Sequence, residues 1–196
     1  METTMRVLLL FAIACAVQPA AASISLSLNP VSGSISGVPG ETVGWGFAIN
    51  NTTSDFLFVN DSNFTGSGLV GTYTDFVSGQ FIVVGPPPET SSVSEAFSLS
   101  SQTGLGSFTI DSASAAGDSE AGDLEVDYSL FSQDPNSPNF DPGSFVGSGT
   151  LKEAASVFVS SAVTATPEPS TLVLAFTGLV SAGLFARRRF PFLGPR

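Results

Sequence analysis

Apolar residues alternate strictly with small residues along one stretch of this chain, and this period of two constrains the fold more than any other feature. Between residues 42 and 50, Val43, Trp45, Phe47 and Ile49 occupy every second position, with glycine or alanine between them. Because successive side chains of a strand point to opposite faces of a sheet, these four side chains share one face. The stretch therefore predicts a half-buried strand of an antiparallel sheet.

The same period recurs along the chain, and turn residues separate the repeats. It predicts roughly eight or nine short strands, with no helical pattern between them. This spacing favours an all-β fold, an antiparallel immunoglobulin-like β-sandwich, with a closed barrel or jelly roll as the alternative. The strands are expected near residues 24–28, 42–50, 56–59, 73–77, 81–84, 93–99, 108–110, 124–130 and 157–159, the last with an extension to Val163 left open.

A local likeness points the same way. In residues 40–51 the turn Gly40-Glu41 precedes the alternating strand, which ends in Asn50-Asn51. This arrangement resembles the start of the immunoglobulin-like modules of bacterial surface proteins. The resemblance implies a sandwich and carries no information about a ligand.

The carboxyl-terminal segment has the properties of a membrane span. Residues 170–186 carry no charge, and as a helix they would reach roughly 26 Å, enough to cross a bilayer. Arg187, Arg188 and Arg189 follow directly, and cations are retained on the cytoplasmic side. We therefore expect a transmembrane helix with the preceding domain outside; a buried core helix is the alternative.

The amino-terminal segment has the layout of a secretory signal, for which we expect a helix over residues 1–22. Arg6 precedes an apolar run over residues 7–17, and Ala20 and Ala22 form a small-residue cleavage site before Ser23. Cleavage before Cys15 would instead give a lipoprotein. Cys15 is the only cysteine, so a mature chain beginning at Ser23 would hold no disulfide.

The carboxyl-terminal residues also carry a family resemblance. Pro167, Glu168 and Pro169, the uncharged span and the arginine cluster together resemble the PEP-CTERM sorting signal, although residues 190–196 extend beyond the arginines. The resemblance implies that an exosortase, an integral-membrane cysteine protease, recognises the tail and cuts near it. It also implies delivery to the cell surface or extracellular matrix, often alongside exopolysaccharide production. The expected map is a signal peptide at 1–22, a β-sandwich ectodomain at 23–166 and a sorting tail at 167–196.

Acidic residues dominate the middle of the chain. Sixteen of the 17 Asp and Glu residues lie between Glu41 and Glu168, and Lys152 is the only basic residue between Ser23 and Pro169, which leaves this segment a net charge of −15 (16 acidic, one basic). Such a surface repels nucleic acid, so nucleic-acid binding is excluded. Adaptation to an extracellular setting accounts for the acidity without any ligand.

One acidic cluster suggests calcium, because Ca²⁺ prefers oxygen ligands at close spacing. The candidate ligands are Asp118, Glu120 and Asp123. The alternative is a solvated acidic face, since Glu125 and Asp127 alternate with apolar residues. The full cluster is Asp111, Asp118, Glu120, Asp123, Glu125 and Asp127.

The composition argues against catalysis. The chain has no histidine, so Ser-His-Asp, Cys-His and His-ligated metal chemistry have no base or ligand to use. A two-carboxylate hydrolase would need a cleft that a small sandwich rarely provides. We expect a structural or adhesive surface protein and no enzyme. The alternative is a surface module that binds polysaccharide or calcium, with the Asp and Pro-rich loop at residues 132–143 as a candidate binding loop.

Overall fold

A computed structural model describes residues 22–162, and these residues form an all-β domain. The predicted transmembrane helix and all but the last residue of the predicted signal helix lie outside the described residues. Within residues 22–162 no helix is long and apolar enough to cross a membrane. The ten strands are β1 Ile24–Asn29, β2 Ser34–Gly37, β3 Thr42–Asn51, β4 Phe56–Phe64, β5 Gly71–Asp75, β6 Val83–Val84, β7 Ser92–Glu95, β8 Gly106–Ile110, β9 Ser119–Phe131 and β10 Phe145–Val159.

The strands form two five-stranded sheets. In the first sheet the order is β1-β3-β8-β5, and β7 also pairs with β3. In the second sheet the order is β2-β10-β9-β4-β6. Residues from both sheets enter one hydrophobic core, which confirms the prediction of an all-β, two-layer domain; its immunoglobulin-like type stays a prediction.

One strand pair corrects the expectation of a purely antiparallel sandwich. Strand β2 pairs with β10 in parallel, with Ser34 opposite Ser156 and Gly37 opposite Val159. The sequence does not predict β2, because Ile35 is the only large apolar residue of this strand and gives no period to detect. The sequence also predicts a strand only near residues 157–159, whereas β10 begins at Phe145.

The core is built around Trp45 of β3. Its ring lies 5.7 Å from the ring of Phe64 and 6.4 Å from that of Phe108, measured between centroids. Its indole N–H donates a 2.8 Å hydrogen bond to the carbonyl of Gly33, so the polar edge of the ring is satisfied in the interior. The predicted alternation on β3 is confirmed, since Trp45, Phe47 and Ile49 are buried on one face.

The opposite face of β3 is covered, although a half-buried strand predicts an exposed face there. A Cβ atom added at Gly44 would lie 2.3 Å from the Phe97 ring, and one added at Gly46 would lie 2.6 Å from the Glu95 carbonyl oxygen. Two glycines therefore let the segment after β7 lie directly on the strand.

Candidate functional site

The three candidate calcium ligands do not share a site. Glu120 and Asp123 lie on β9, an odd number of residues apart, and therefore point to opposite faces of the sheet. Glu120 is only 3% exposed, whereas Asp123 faces solvent. Among the described residues no group of three or more His, Cys, Asp or Glu side chains could hold a metal ion. The structure therefore does not bring Asp118, Glu120 and Asp123 into one site, and calcium binding stays a prediction.

The structure gives two of these carboxylates a local role instead. Glu120 accepts hydrogen bonds from the backbone N–H groups of Gly68, at 2.5 Å, and Val70, at 3.0 Å. Asp118 accepts one from the N–H of Ala115 at 2.8 Å and closes a tight turn. Glu120 thus holds the loop before β5 against β9, and both of its oxygens are already used.

The remaining acidic residues of β9 form an exposed face, as the alternation predicted. Glu125 and Asp127 alternate with the buried residues Leu124 and Val126. Glu125 forms an ion pair with Lys152 on β10, and this exposed pair contributes little stability. We call Asp61, Asp123, Glu125 and Asp127 the acidic face.

Like charges lie close together within the acidic face, and they affect the pKa of Asp61. Asp61 of β4 lies opposite Asp127 of β9 in the strand register. Burial, and then the negative charges of Asp127 and Asp75, raise the pKa of the Asp61 carboxyl above its ordinary value. The hydroxyl of Thr150 donates a hydrogen bond to Asp127 and partly offsets this repulsion. A shallow cleft of about 300 Å³ lies here and has polar walls.

An aromatic groove lies elsewhere on the outer surface of the second sheet. We define it by Phe58, Phe81, Phe131, Pro135 and Phe140, which line a cleft of about 140 Å³. The ring of Phe58 lies 5.0 Å from that of Phe81, and the ring of Phe131 lies 5.1 Å from that of Phe140. The Phe81 side chain is 62% exposed. Together these rings form a small, partly exposed apolar cleft on the outside of the domain.

Polar groups adjoin the aromatic groove. A second, open cleft of about 550 Å³ is lined by Glu89, Asp134 and Asn136 together with Phe56 of β4. The two clefts adjoin, since the consecutive loop residues 134–136 contribute to both. In such an arrangement the rings can stack on the apolar face of a ligand, and the carboxylate and amide groups can accept hydrogen bonds from its hydroxyls.

Sequence reasoning found only the loop side of this groove. The candidate loop at residues 132–143 supplies Pro135 and Phe140. The strand side was missed because residues 56–59 form an unbroken apolar run, which predicts a strand buried on both faces. In the structure Leu57 and Val59 enter the core, and Phe56 and Phe58 point outward. Most other strands of this chain alternate between apolar and polar or small residues. An unbroken apolar run among them indicates that apolar side chains also lie on the outer face, and this was the available signal.

A buried polar network joins the two sheets near the other end of β4. The Ser62 hydroxyl donates a 2.5 Å hydrogen bond to Asp75 and lies 2.7 Å from the Tyr73 hydroxyl. The Asp75 carboxylate also accepts from the N–H groups of Val77 and Ser78. No described buried side-chain N or O atom lacks a hydrogen-bond partner, so this network is a satisfied structural element.

The predicted sorting and processing residues fall mainly outside the described part of the chain. Ala22 is the first described residue and is exposed. The N–H of the next residue, Ser23, donates a 2.8 Å hydrogen bond to Thr52. The residues outside the description are Ala20, Pro167, Glu168, Pro169, Arg187, Arg188 and Arg189.

Comparison with known proteins identifies one motif. The model of the PEP-CTERM protein-sorting motif matches residues 165–189. No curated protein matches the chain. Among solved structures, the sixth cohesin of scaffoldin B from Acetivibrio cellulolyticus, crystallised in complex with a mutant Cel5 dockerin, is similar with 12% sequence identity and a TM-score of 0.26. That match covers 70% of this chain and 99% of the cohesin.

Proposed function

We propose that this chain, which carries a PEP-CTERM protein-sorting motif at residues 165–189, is an exosortase-sorted protein with a structural or adhesive role at the cell surface or in the extracellular matrix. The motif is the observation that carries the proposal. It indicates export, a membrane-anchored carboxyl-terminal signal and recognition by a membrane protein. The surface destination, the signal peptide and the association with exopolysaccharide belong to the proposal.

The character of the described domain supports a structural role. Its two sheets enclose one hydrophobic core, and all of its described buried side-chain polar atoms are hydrogen-bonded. The absence of histidine from the whole chain removes the commonest catalytic base. We therefore infer a binding or scaffolding protein without enzymatic activity, and we retain the immunoglobulin-like interpretation of the sandwich as part of this proposal.

A second candidate function is glycan binding through the aromatic groove. Phenylalanine rings provide faces for the apolar side of a sugar, and Glu89, Asp134 and Asn136 provide acceptors for its hydroxyls. The net charge of −15 between Ser23 and Pro169 disfavours anionic polysaccharides. This candidate therefore commits to neutral or amino-bearing glycans. Calcium binding by the domain stays a prediction.

The sorting proposal is tested in cells that contain an exosortase. Deletion of residues 167–196 should release the domain into the medium without carboxyl-terminal processing, since both the signal and the span are lost. Replacement of the three arginines at 187–189 by alanine should impair retention of the precursor, because the stop signal is weakened. Arg196→Ala, outside the cluster, is the matched control and should behave as wild type. Unchanged surface retention of the deletion variant would refute the sorting role.

The glycan candidate is tested separately by calorimetry on residues 23–166. Neutral and amino-bearing polysaccharides, and Ca²⁺ alone, are titrated in turn. Phe81→Ala should weaken glycan binding by up to about tenfold if its ring stacks on a sugar, because an aromatic stacking contact contributes about 0.5–1.5 kcal/mol. Leu99→Ala is the control, since Leu99 is also exposed and lies outside the groove. Absence of heat with every glycan would exclude this function.

A further inference from the structure

The first half of β10 is an open sheet edge. Over Phe145–Phe158 this strand pairs with β9 on one side. On its other side β2 reaches it only from Ser156 onward. Among the described strands none pairs with residues 147–153 on that side, which leaves a row of backbone donors and acceptors facing outward.

This edge is uncharged along most of its length, unlike the rest of the domain. From residue 142 to residue 151 the chain carries no charged side chain. A strongly acidic molecule repels a second copy of itself over most of its surface. Two copies can approach most closely where each presents an uncharged strand. Residues 147–150 are also small, so no bulky side chain obstructs a neighbouring strand.

We propose that a second copy of this chain pairs with β10 along residues 147–153, antiparallel and related by a two-fold axis at Thr150. The two five-stranded sheets then join into one continuous sheet across the dimer. Thr150 lies opposite its own copy, and Thr–Thr pairs are favourable cross-strand neighbours.

The charges at the end of the edge select this orientation. In the antiparallel register Ser148 lies opposite the partner's Lys152, and Gly147 lies opposite the partner's Glu153. No like charges then meet directly. A parallel, in-register pairing would place Lys152 against the partner's Lys152 and Glu153 against the partner's Glu153, which is destabilising.

The devices that protect natural sheet edges lie only at the ends of this segment. A bulge interrupts the register between Phe145 and Gly147 at one end. At the other end the charged side chain of Lys152 disfavours pairing with another strand. The Lys152 ammonium is drawn toward Glu125 on β9, which leaves the middle of the edge open. Self-pairing of β10 would allow the protein to assemble in the structural role proposed above. The pairing itself is argued from the strand edge, and only its biological use rests on the proposed function.

The test uses residues 23–162, because the described residues close a core of their own and form one compact unit up to Ser160. Sedimentation equilibrium should show a monomer–dimer equilibrium that tightens as added salt screens the acidic surfaces.

Thr150→Lys should weaken the dimer by about fivefold, since like charges meet on the axis. The same change leaves the monomer folded, because the introduced ammonium group would lie beside the carboxylate of Asp127, which is opposite Thr150 in the strand register. Leu99→Lys adds the same charge at an exposed site away from β10 and should leave the equilibrium unchanged.

A cysteine variant reports the geometry directly, since residues 23–162 contain no cysteine. Thr150→Cys should form an intermolecular disulfide under mild oxidation, because directly opposed residues in an antiparallel pair lie at a distance that a disulfide can bridge. Leu99→Cys should link far more slowly. A monomer at every concentration, or equal linking of the two variants, would overturn the inference. Neither measurement involves the sorting tail, so a failure here leaves the sorting proposal standing.

Discussion

The hydroxyl of Ser62 on β4 lies 2.5 Å from the carboxylate of Asp75 on β5, and this hydrogen bond crosses from one sheet to the other. The same oxygen lies 2.7 Å from the hydroxyl of Tyr73. This partly buried polar contact therefore joins the two sheets in addition to the hydrophobic core. Because the contact is charge-assisted and partly excluded from water, it is stronger than an exposed hydrogen bond.

Ser62→Ala should lower the free energy of unfolding by about 1–3 kcal/mol, because it removes a donor and leaves Asp75 and Tyr73 less well satisfied. Urea denaturation of residues 23–162 measures the change. Ser27→Ala on the exposed face of β1 is the control and should change stability by less than about 0.5 kcal/mol. Equal midpoints for the two variants would show that the network contributes nothing.

Stability should fall at alkaline pH because of Tyr73. Burial, with a smaller contribution from the charge of Asp75, raises the pKa of the Tyr73 phenol well above its usual value of 10.0, although the Ser62 hydrogen bond acts in the opposite direction. The unfolded chain then loses this proton at a lower pH than the folded chain. The folded state is therefore favoured fully below about pH 10 and loses stability as the pH rises further. Denaturation midpoints measured across this range should fall in wild type. The fall should be shallower in Tyr73→Phe, and identical slopes would contradict the assignment.

Gly46→Ala should destabilise the domain by about 1–3 kcal/mol, because the added methyl group would lie 2.6 Å from the backbone oxygen of Glu95. Relief would require β7 or the segment after it to move away from β3. Gly79→Ala is the matched control, since nothing lies within 4 Å of its added Cβ atom. Thermal denaturation of both variants decides the point, and equal melting temperatures would show that the segment after β7 yields freely.

Glu120→Ala should free the loop before β5. The substitution leaves the backbone N–H groups of Gly68 and Val70 without their acceptor. Hydrogen exchange at these two amides should accelerate, and stability should fall by about 1–3 kcal/mol. Glu125→Ala on the exposed face is the control for the loss of a charge. Unchanged exchange at both amides would show that the carboxylate does not hold the loop.

Glu120 also shows where sequence reasoning reached its limit. An acidic side chain beside Asp118 and Asp123 predicts a solvated or metal-binding residue, yet Glu120 lies on the inward face of β9. Its partners, the amides of the loop at residues 68–70, lie about fifty positions earlier in the chain. No local pattern records that these two segments meet. The aromatic groove escaped for the same reason, since β4 and the loop at residues 132–143 meet only after folding.

Local sequence patterns predict the alternating strands near residues 24–28, 42–50 and 124–130, the solvent-facing acidic residues of β9 and the sorting motif at the carboxyl end. Each of these features depends only on residues that are close together in the chain, because a strand's period of two and an uncharged run followed by arginines are local properties. The parallel pairing of β2 with β10, the open edge of β10 and the contact between Ser62 and Asp75 are visible only in the folded domain. These depend on which distant segments pack together, and that choice is made by the burial of the whole core rather than by any one segment.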